Sequence, residues 1–372
     1  MYPYNNPSWY TQITAPGPNY TPWNMYEYYG FTKLDTSNPA NYGAGQKIAI
    51  IDAYGSPTLS GDFSAFCTGM GLPSTTIQVY FPISTPNYAT WNTTYNSSTN
   101  PTSATVQGWV KETSLDVQYA HAMALSATIM LVVSPDATTS NLLSCVRYAV
   151  NTLSADIVSM SFGGGEFPSQ YSPGGSDQIT FQNNNAIYVA SSGDTGQALV
   201  YPGCSQYVLS VGGTVLSGGN STYYGTAVGT YGETAWSSGG GNVSNINPIP
   251  SYQQNWSPYV NRSVPDVGYN AGNFVSVYVT NTFTNQGGWI GVTGTSAGAP
   301  QWAGIAAIRK ANGLWSRGTR TFARDMYALA STSYSTMFNS ISTGSNGFPA
   351  TSGYDLITGL GTPKVNNLAI TQ

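Results

Sequence analysis

Five side chains of this 372-residue chain have types and spacings that could carry chemistry. Ser296 sits in GTSAGAP, between glycines and ahead of an apolar, helix-period run that reaches Ala311. Pro300 falls in the first turn of that helix, where a missing N–H is harmless. A serine placed there meets free backbone N–H groups and the positive end of the helix dipole, which favour developing negative charge. The same placement describes a plain N-cap serine, so the partners must decide. Glu112 and Asp116, in ETSLD, lie four residues apart and within a helix project from one face. Carboxyls in contact split their apparent pKa values, leaving one group able to accept a proton in acid. Asp194, in SSGDTG, reads as an Asx-turn aspartate or as a carboxylic acid kept protonated to donate to an oxyanion. The fifth is His121, the only histidine.

Two familiar arrangements fail on their partners. GTSAG matches the G-x-S-x-G elbow of α/β-hydrolases, but that arrangement needs a histidine after the serine and none follows residue 296. The order Asp52, His121, Ser296 is that of subtilisins, and IIDAYG resembles their aspartate strand. His121, however, lies in the helical stretch WVKETSLDVQYAHAMALSAT, nine residues after Glu112. At ~100° per residue it faces away from that carboxylate. It reads as an ordinary helix-face histidine. What remains is a serine served by carboxyls, a chemistry suited to acid, where imidazole stays protonated.

Short, apolar, β-branched runs must hold these groups. KIAIIDAY (47–54), TIMLVV (128–133), DIVSMSF (156–162) and AIYVASSG (186–193) are continuous rather than alternating, as in strands buried on both faces. Helical patterns near 59–69, 110–127, 139–152 and 175–184 lie between them. This alternation predicts an α/β fold, a mostly parallel central sheet flanked by helices on both faces. Residues 1–20 read as an extended N-terminal arm and 21–372 as one domain. Residues 84–106 read as a polar surface loop, and 216–290 as long irregular excursions with short strand-like pieces. There is no internal repeat.

Charged residues make up only 7%, against about 25% in an ordinary globular protein. Few carboxylates means little stability lost to their protonation in acid. A formal charge of −4 leaves no basic patch for nucleic acid. No apolar run is long enough to span a bilayer, and MYPYNNPSWY lacks a signal-peptide pattern. Sequons at Asn19, Asn92, Asn96, Asn220, Asn242, Asn255 and Asn261 argue for export and glycosylation. Cys67, Cys145 and Cys204 permit one disulfide or none, and their spacing supports no zinc or redox motif.

From about residue 20 onward the chain resembles the sedolisin family, the serine-carboxyl peptidases. The matching segments, in family order, are YTPWNMYEYYGF, GAGQKIAIIDAYGSPTLSGDFSAF, ETSLD, SGDTG with YPGCSQYVLSVGGT, RSVPDV and GTSAGAP. The resemblance implies a subtilisin-like fold in which glutamate replaces histidine. Ser296 would attack the peptide carbonyl, and Glu112 would take its proton and pass it to the leaving amine. Asp116 would orient Glu112, while neutral Asp194 and the Ser296 N–H would hold the oxyanion. SMSFGGGE (159–166) resembles the strand that pairs with substrate main chain. The implied protein is extracellular and monomeric, acts on proteins or peptides, and carries a propeptide in its precursor. An endopeptidase, a tripeptidyl-peptidase and an inactive surface or matrix protein all remain open. One calcium is also implied, with Ser340, Ile341, Thr351, Gly353 and Asp355 in the ligand positions. Ser340 departs from the family's aspartate there, removing a charge that tunes calcium affinity.

Overall fold

Alternating burial explains the continuous apolar runs. The computed structural model describes residues 19–84, 101–182, 186–218, 232–282, 284–315 and 321–371, and of residues 101–104 the backbone alone. In β1 (Lys47–Ala53), Ile48 and Ile50 join one apolar cluster while Ala49, Ile51 and Ala53 join another. In β3 (Thr128–Ser134), Ile129, Leu131 and Val133 take the first side, and Met130 and Val132 the second. A strand sealed on both faces has no side that water selects, so its sequence cannot alternate.

Between β1 and β3 lies a short edge strand, β2 (Gln78–Tyr80). Further along come β4 (Ile157–Met160), β5 (Ile187–Ser191), β6 (Leu209–Ser217), β7 (Gly232–Ala235), β8 (Asn242–Pro248), β9 (Asn261–Val264) and β10 (Val267–Asn270). The main sheet runs β10–β6–β5–β4–β1–β3–β2, all parallel, with β7 added antiparallel to the C-terminal half of β6. The expected parallel sheet is therefore present.

Helix α1 (Pro22–Tyr29) precedes β1, and α2 (Leu59–Met70) follows it. Helices α3 (Pro101–Met123), α4 (Thr139–Asn151) and α5 (Ser176–Phe181) connect the central strands. Helix α6 (Gly298–Ala311) packs with α3 on the Ile48 and Ile50 face, and α4 covers the other. Helix α3 begins at Pro101, so the end of the expected 84–106 loop is helical. Residues 85–100 of that loop, residues 1–18 of the arm, and the sequons at Asn92, Asn96 and Asn220 lie outside the described residues.

The 216–290 region is more regular than its composition suggests. Strands β8 and β9 pair antiparallel, β10 joins the main sheet, and β11 (Val275–Asn281) forms a ribbon with β12 (Gln286–Val292). Short antiparallel strands with polar outward faces leave only a faint apolar signal, which Gly and Asn mask. Gln118 of α3 staples the ribbon, donating to the Tyr278 carbonyl (2.7 Å) and accepting from its N–H (3.1 Å). All three cysteines are free and buried.

With so few charges, buried carboxylates are met mostly by hydroxyls. Glu233 accepts from Tyr28 (2.8 Å), Tyr29 (2.9 Å), Thr214 (2.5 Å) and Thr362 (2.7 Å), tying α1 to the sheet. One exception is Arg262, which donates to Asp266 through two nitrogens (2.6 and 2.5 Å) with both side chains fully buried. Asp266 also accepts the Ser210 N–H at 2.8 Å, so the pair welds the β9–β10 bend to β6. Removing one member leaves an uncompensated buried charge, which costs about 3–5 kcal/mol. Asp266→Asn in a Ser296→Ala background, which avoids self-digestion, is expected to lose about that much stability in urea unfolding. A change under about 1 kcal/mol would show that the bend does not depend on the pair.

Candidate active site

Four segments deliver side chains to the C-terminal ends of the parallel strands, where open α/β sheets bind ligands. Asp52 is next to last in β1 and shares parity with Ile48 and Ile50, so the pleat turns it toward α3. Helix α3 carries Glu112 and Asp116 one turn apart. Beyond β5, Ser192 and Gly193 lead to Asp194. After β12, a short 3₁₀ turn, Thr295–Ala297, presents Ser296 and runs into α6.

The structure brings all four of the expected catalytic positions into one site. The Ser296 hydroxyl faces the Glu112 carboxyl, and the charge of Asp194 also acts on Glu112. Behind Glu112 stand Asp116 and Asp52, both fully buried. Neither oxygen of either aspartate, nor Oε1 of Glu112, has a partner of strict hydrogen-bond geometry among the described residues. The Ser161 hydroxyl faces Asp116, and the Thr113 hydroxyl faces Asp52.

Electrostatics follow from this crowding. Burial pushes the Glu112 carboxyl up to about 7, against the pull of the Ser296 hydroxyl and with help from the Asp194 charge. Burial also raises Asp116 well above the usual carboxylate range, and the Asp52 and Glu112 charges add to it. Asp52 is raised likewise by burial and by Glu112. Three carboxyls packed together cannot all ionise, so they share protons. Glu112 ionises most readily of the three, since it is only half-buried and faces the Ser296 hydroxyl.

His121 is elsewhere. It lies about 13 Å further along α3 than Glu112, fully buried. Its Nε2 is 2.7 Å from the Pro73 carbonyl, and its ring meets Phe63 edge-on at 5.0 Å. Burial presses its pKa down to about 4.

Asp194 is exposed but held. Its Oδ1 accepts from the Thr295 N–H and the Thr295 hydroxyl, each at 2.8 Å. Its loop is zipped to residues 238–241 by Gly240 N–H to the Gly193 carbonyl (2.7 Å) and Gly196 N–H to the Ser238 carbonyl (2.9 Å). Across the cleft, Gly164 exchanges hydrogen bonds with Tyr201 (2.9 and 2.8 Å). Gly163–Gly165 are exposed, and a Cβ on Gly164 or Gly165 would touch nothing. That bare main chain leaves room for another strand.

Sequence reasoning missed three residues. Asp52 had been placed only in a subtilisin-like order, although its parity with Ile48 and Ile50 marks the face it shares with α3. Gln118 and Thr295 gave no signal, because each acts through contacts to residues far away in the chain.

The residues expected to hold calcium cluster but do not fit the ion. Asp355 Oδ1 accepts from Ile357 N–H and Thr358 N–H, each at 2.8 Å. Its Oδ2 accepts from the Thr358 hydroxyl (2.9 Å) and Thr351 N–H (3.3 Å). Gly353 aims its N–H at the Ser340 Oγ (3.3 Å), and its carbonyl accepts from Tyr334 (2.9 Å). Ile341 is buried in a small apolar cluster with Ala350 and Ile357. Calcium takes six to eight oxygens, several of them carboxylate. Here one carboxylate is present and donors already occupy both its oxygens.

Comparison with known proteins bears on the family and the fold. The profile of the subtilase family matches residues 85–346. Kumamolisin of Bacillus sp. (strain MN-32) is 29% identical over 92% of this chain, and physarolisin of Physarum polycephalum is 30% identical over 69%. The chain spans 62% and 56% of their respective lengths, under two thirds of either. Among solved structures, Pseudomonas sedolisin, a serine-carboxyl proteinase complexed with two molecules of pseudo-iodotyrostatin, superposes with a TM-score of 0.69 at 21% identity. The match covers 99% of this chain and 98% of that one, so the fold is subtilisin-like. The chain belongs to the subtilase family, within its sedolisin group.

Proposed function

We propose that this chain is a secreted, acid-active serine-carboxyl endopeptidase. The observation that carries the reading is the Ser296 hydroxyl facing Glu112, with Asp116 and Asp52 behind it and the only histidine buried elsewhere. Glu112 accepts the Ser296 proton as the hydroxyl attacks the substrate carbonyl, and later returns it to the leaving amine. Asp116 and Asp52 lower the cost of that proton's arrival by sharing protons with Glu112. The Ser296 N–H, at the head of the turn into α6, and the Asp194 carboxyl face the oxyanion. Asp194 can donate only while it carries a proton. Substrate main chain lies along Gly163–Gly165.

Secretion is supported by low charge and by the exposed sequon at Asn255, and among the described residues no helix is long and apolar enough to cross a membrane. The amide nitrogens of Asn242 and Asn261 are engaged with the Gln197 and Ser244 carbonyls (2.7 and 2.8 Å), so glycosylation there requires breaking those contacts. The loop around Asp355 closes on its own hydrogen bonds and needs no cation.

Peptide cleavage between pH 2 and 8 is expected on the acid side, lost in Ser296→Ala and in Glu112→Gln, and kept in His121→Gln. An optimum above pH 7, or dependence on His121, would defeat the carboxyl mechanism. Internal cuts in an unfolded protein substrate, rather than released tripeptides, are the expected products.

Stability carries the same signature. The three cluster carboxyls have raised pKa values in the fold, so their contribution is complete below the unfolded values near 4. It is lost as pH rises through the folded values, about 7 for Glu112. His121 opposes this, since its lowered pKa removes stability as pH falls from about 6.5 toward about 4. With three groups against one, Tm of Ser296→Ala should fall between pH 5 and 8, and Asp52→Asn should flatten that fall. A Tm that rises over this range would contradict the buried carboxyl cluster. EDTA should leave both Tm and activity unchanged. A drop of several degrees restored by calcium would show that the Asp355 loop does bind the ion.

A further inference from the structure

We infer that Thr295, the residue before the nucleophile, is a positioning residue that decides which oxygen of Asp194 donates to the oxyanion. The inference rests on the serine-carboxyl reading above and extends it to a residue outside the expected catalytic set.

The argument starts from what Asp194 lacks. It is exposed, so burial does not choose its rotamer or its protonated oxygen. A neutral carboxyl free to turn would offer its O–H to the cleft only part of the time. Thr295 removes that freedom. Its hydroxyl accepts the Gly193 N–H at 3.1 Å, which directs its own hydrogen to Asp194 Oδ1 at 2.8 Å. Its backbone N–H reaches the same oxygen at 2.8 Å. An oxygen that accepts two such bonds has spent both lone pairs and is the carbonyl oxygen of the neutral acid. The proton must therefore sit on Oδ2.

Oδ2 lies against Gly294. A Cβ at position 294 would sit 2.7 Å from it, and Gly294 has φ +135°, a conformation side chains rarely adopt. The glycine leaves open the space through which the donating oxygen faces the turn that carries Ser296. Gly193, Asp194, Gly294, Thr295 and Ser296 thus form one hydrogen-bonded unit across the β5 and β12 ends. Because Thr295 and Ser296 are adjacent, the donor is tied to the turn that carries the nucleophile. Their spacing cannot drift independently. Thr295 itself is 1% exposed, which leaves it little surface to offer a substrate.

The test is kinetic. Thr295→Val keeps the shape and the backbone donor but removes the hydroxyl. It is expected to lower kcat ~10- to 100-fold, up to the scale of losing an oxyanion donor, with KM within about twofold. Affinity for a peptide aldehyde, whose adduct with Ser296 places an oxyanion in the same site, should fall by a similar factor. Thr295→Ser, which keeps the hydroxyl, should recover most of both. Circular dichroism and Tm of each variant separate a rate effect from misfolding.

A Thr295→Val enzyme with near-normal kcat, a loss confined to KM, or a serine variant as impaired as the valine would each overturn the inference. Asp194→Ala separates this from the underlying reading. If that variant keeps full kcat, the oxyanion role of Asp194 fails. If it loses activity while Thr295→Val does not, only the role of Thr295 fails.

Discussion

Asp52, Asp116 and Glu112 meet in a pocket where burial disfavours charge and only hydroxyls soften the contact. That constraint orders the rest of the site. Carboxyls this close cannot all ionise, so they pool their protons, and the one at the solvent end, beside Ser296, ionises most readily. A base made this way works where imidazole would already be protonated. It also requires the sheet to end with an acid on the α3 face and α3 to stack two acids one turn apart. Both requirements are met by strand and helix geometry rather than by loops.

The wider molecule deals with scarce charge in the same manner. Glu233 is solvated by two tyrosines and two threonines, Asp62 by Thr58 and Thr280, and Asp355 by backbone N–H groups with one threonine. Hydroxyl and amide donors keep their hydrogens at any working pH, so these fastenings do not need a charged partner. Asp156 with Lys310 and Asp266 with Arg262 are the ion pairs among the described residues. Arg262 is used where a bend must be welded inside the core, since its planar fork meets both carboxylate oxygens at once. The Asp355 loop shows where such donors suffice in place of a cation.

Much of this was legible beforehand because the informative patterns are local. The runs at 47–54, 128–133, 156–162 and 186–193 became β1, β3, β4 and β5, and the helices between them formed where expected, except that α3 begins at Pro101, well before residue 110. Continuous apolarity reports a strand covered on both sides, and no distant contact can imitate it. The excursions at 216–290 were legible only as loops. Strands β8 to β12 mix Gly, Asn, Ser and Thr into their runs, and they are held in part by partners such as Gln118 and the edge of β6.

By itself the sequence determined the parallel α/β fold and the helix that stacks Glu112 on Asp116. It also set His121 apart from them and put a serine at the start of a helix. Each follows from periodicity or spacing within one element, which the chain carries wherever it folds. Only the tertiary structure decided that Asp52 completes the carboxyl cluster, that Thr295 grips Asp194, and that Asp355 satisfies itself with its neighbours' donors. Those are meetings of residues up to about a hundred positions apart, or choices among competing donors within a loop. They are settled by packing, and no local pattern encodes them.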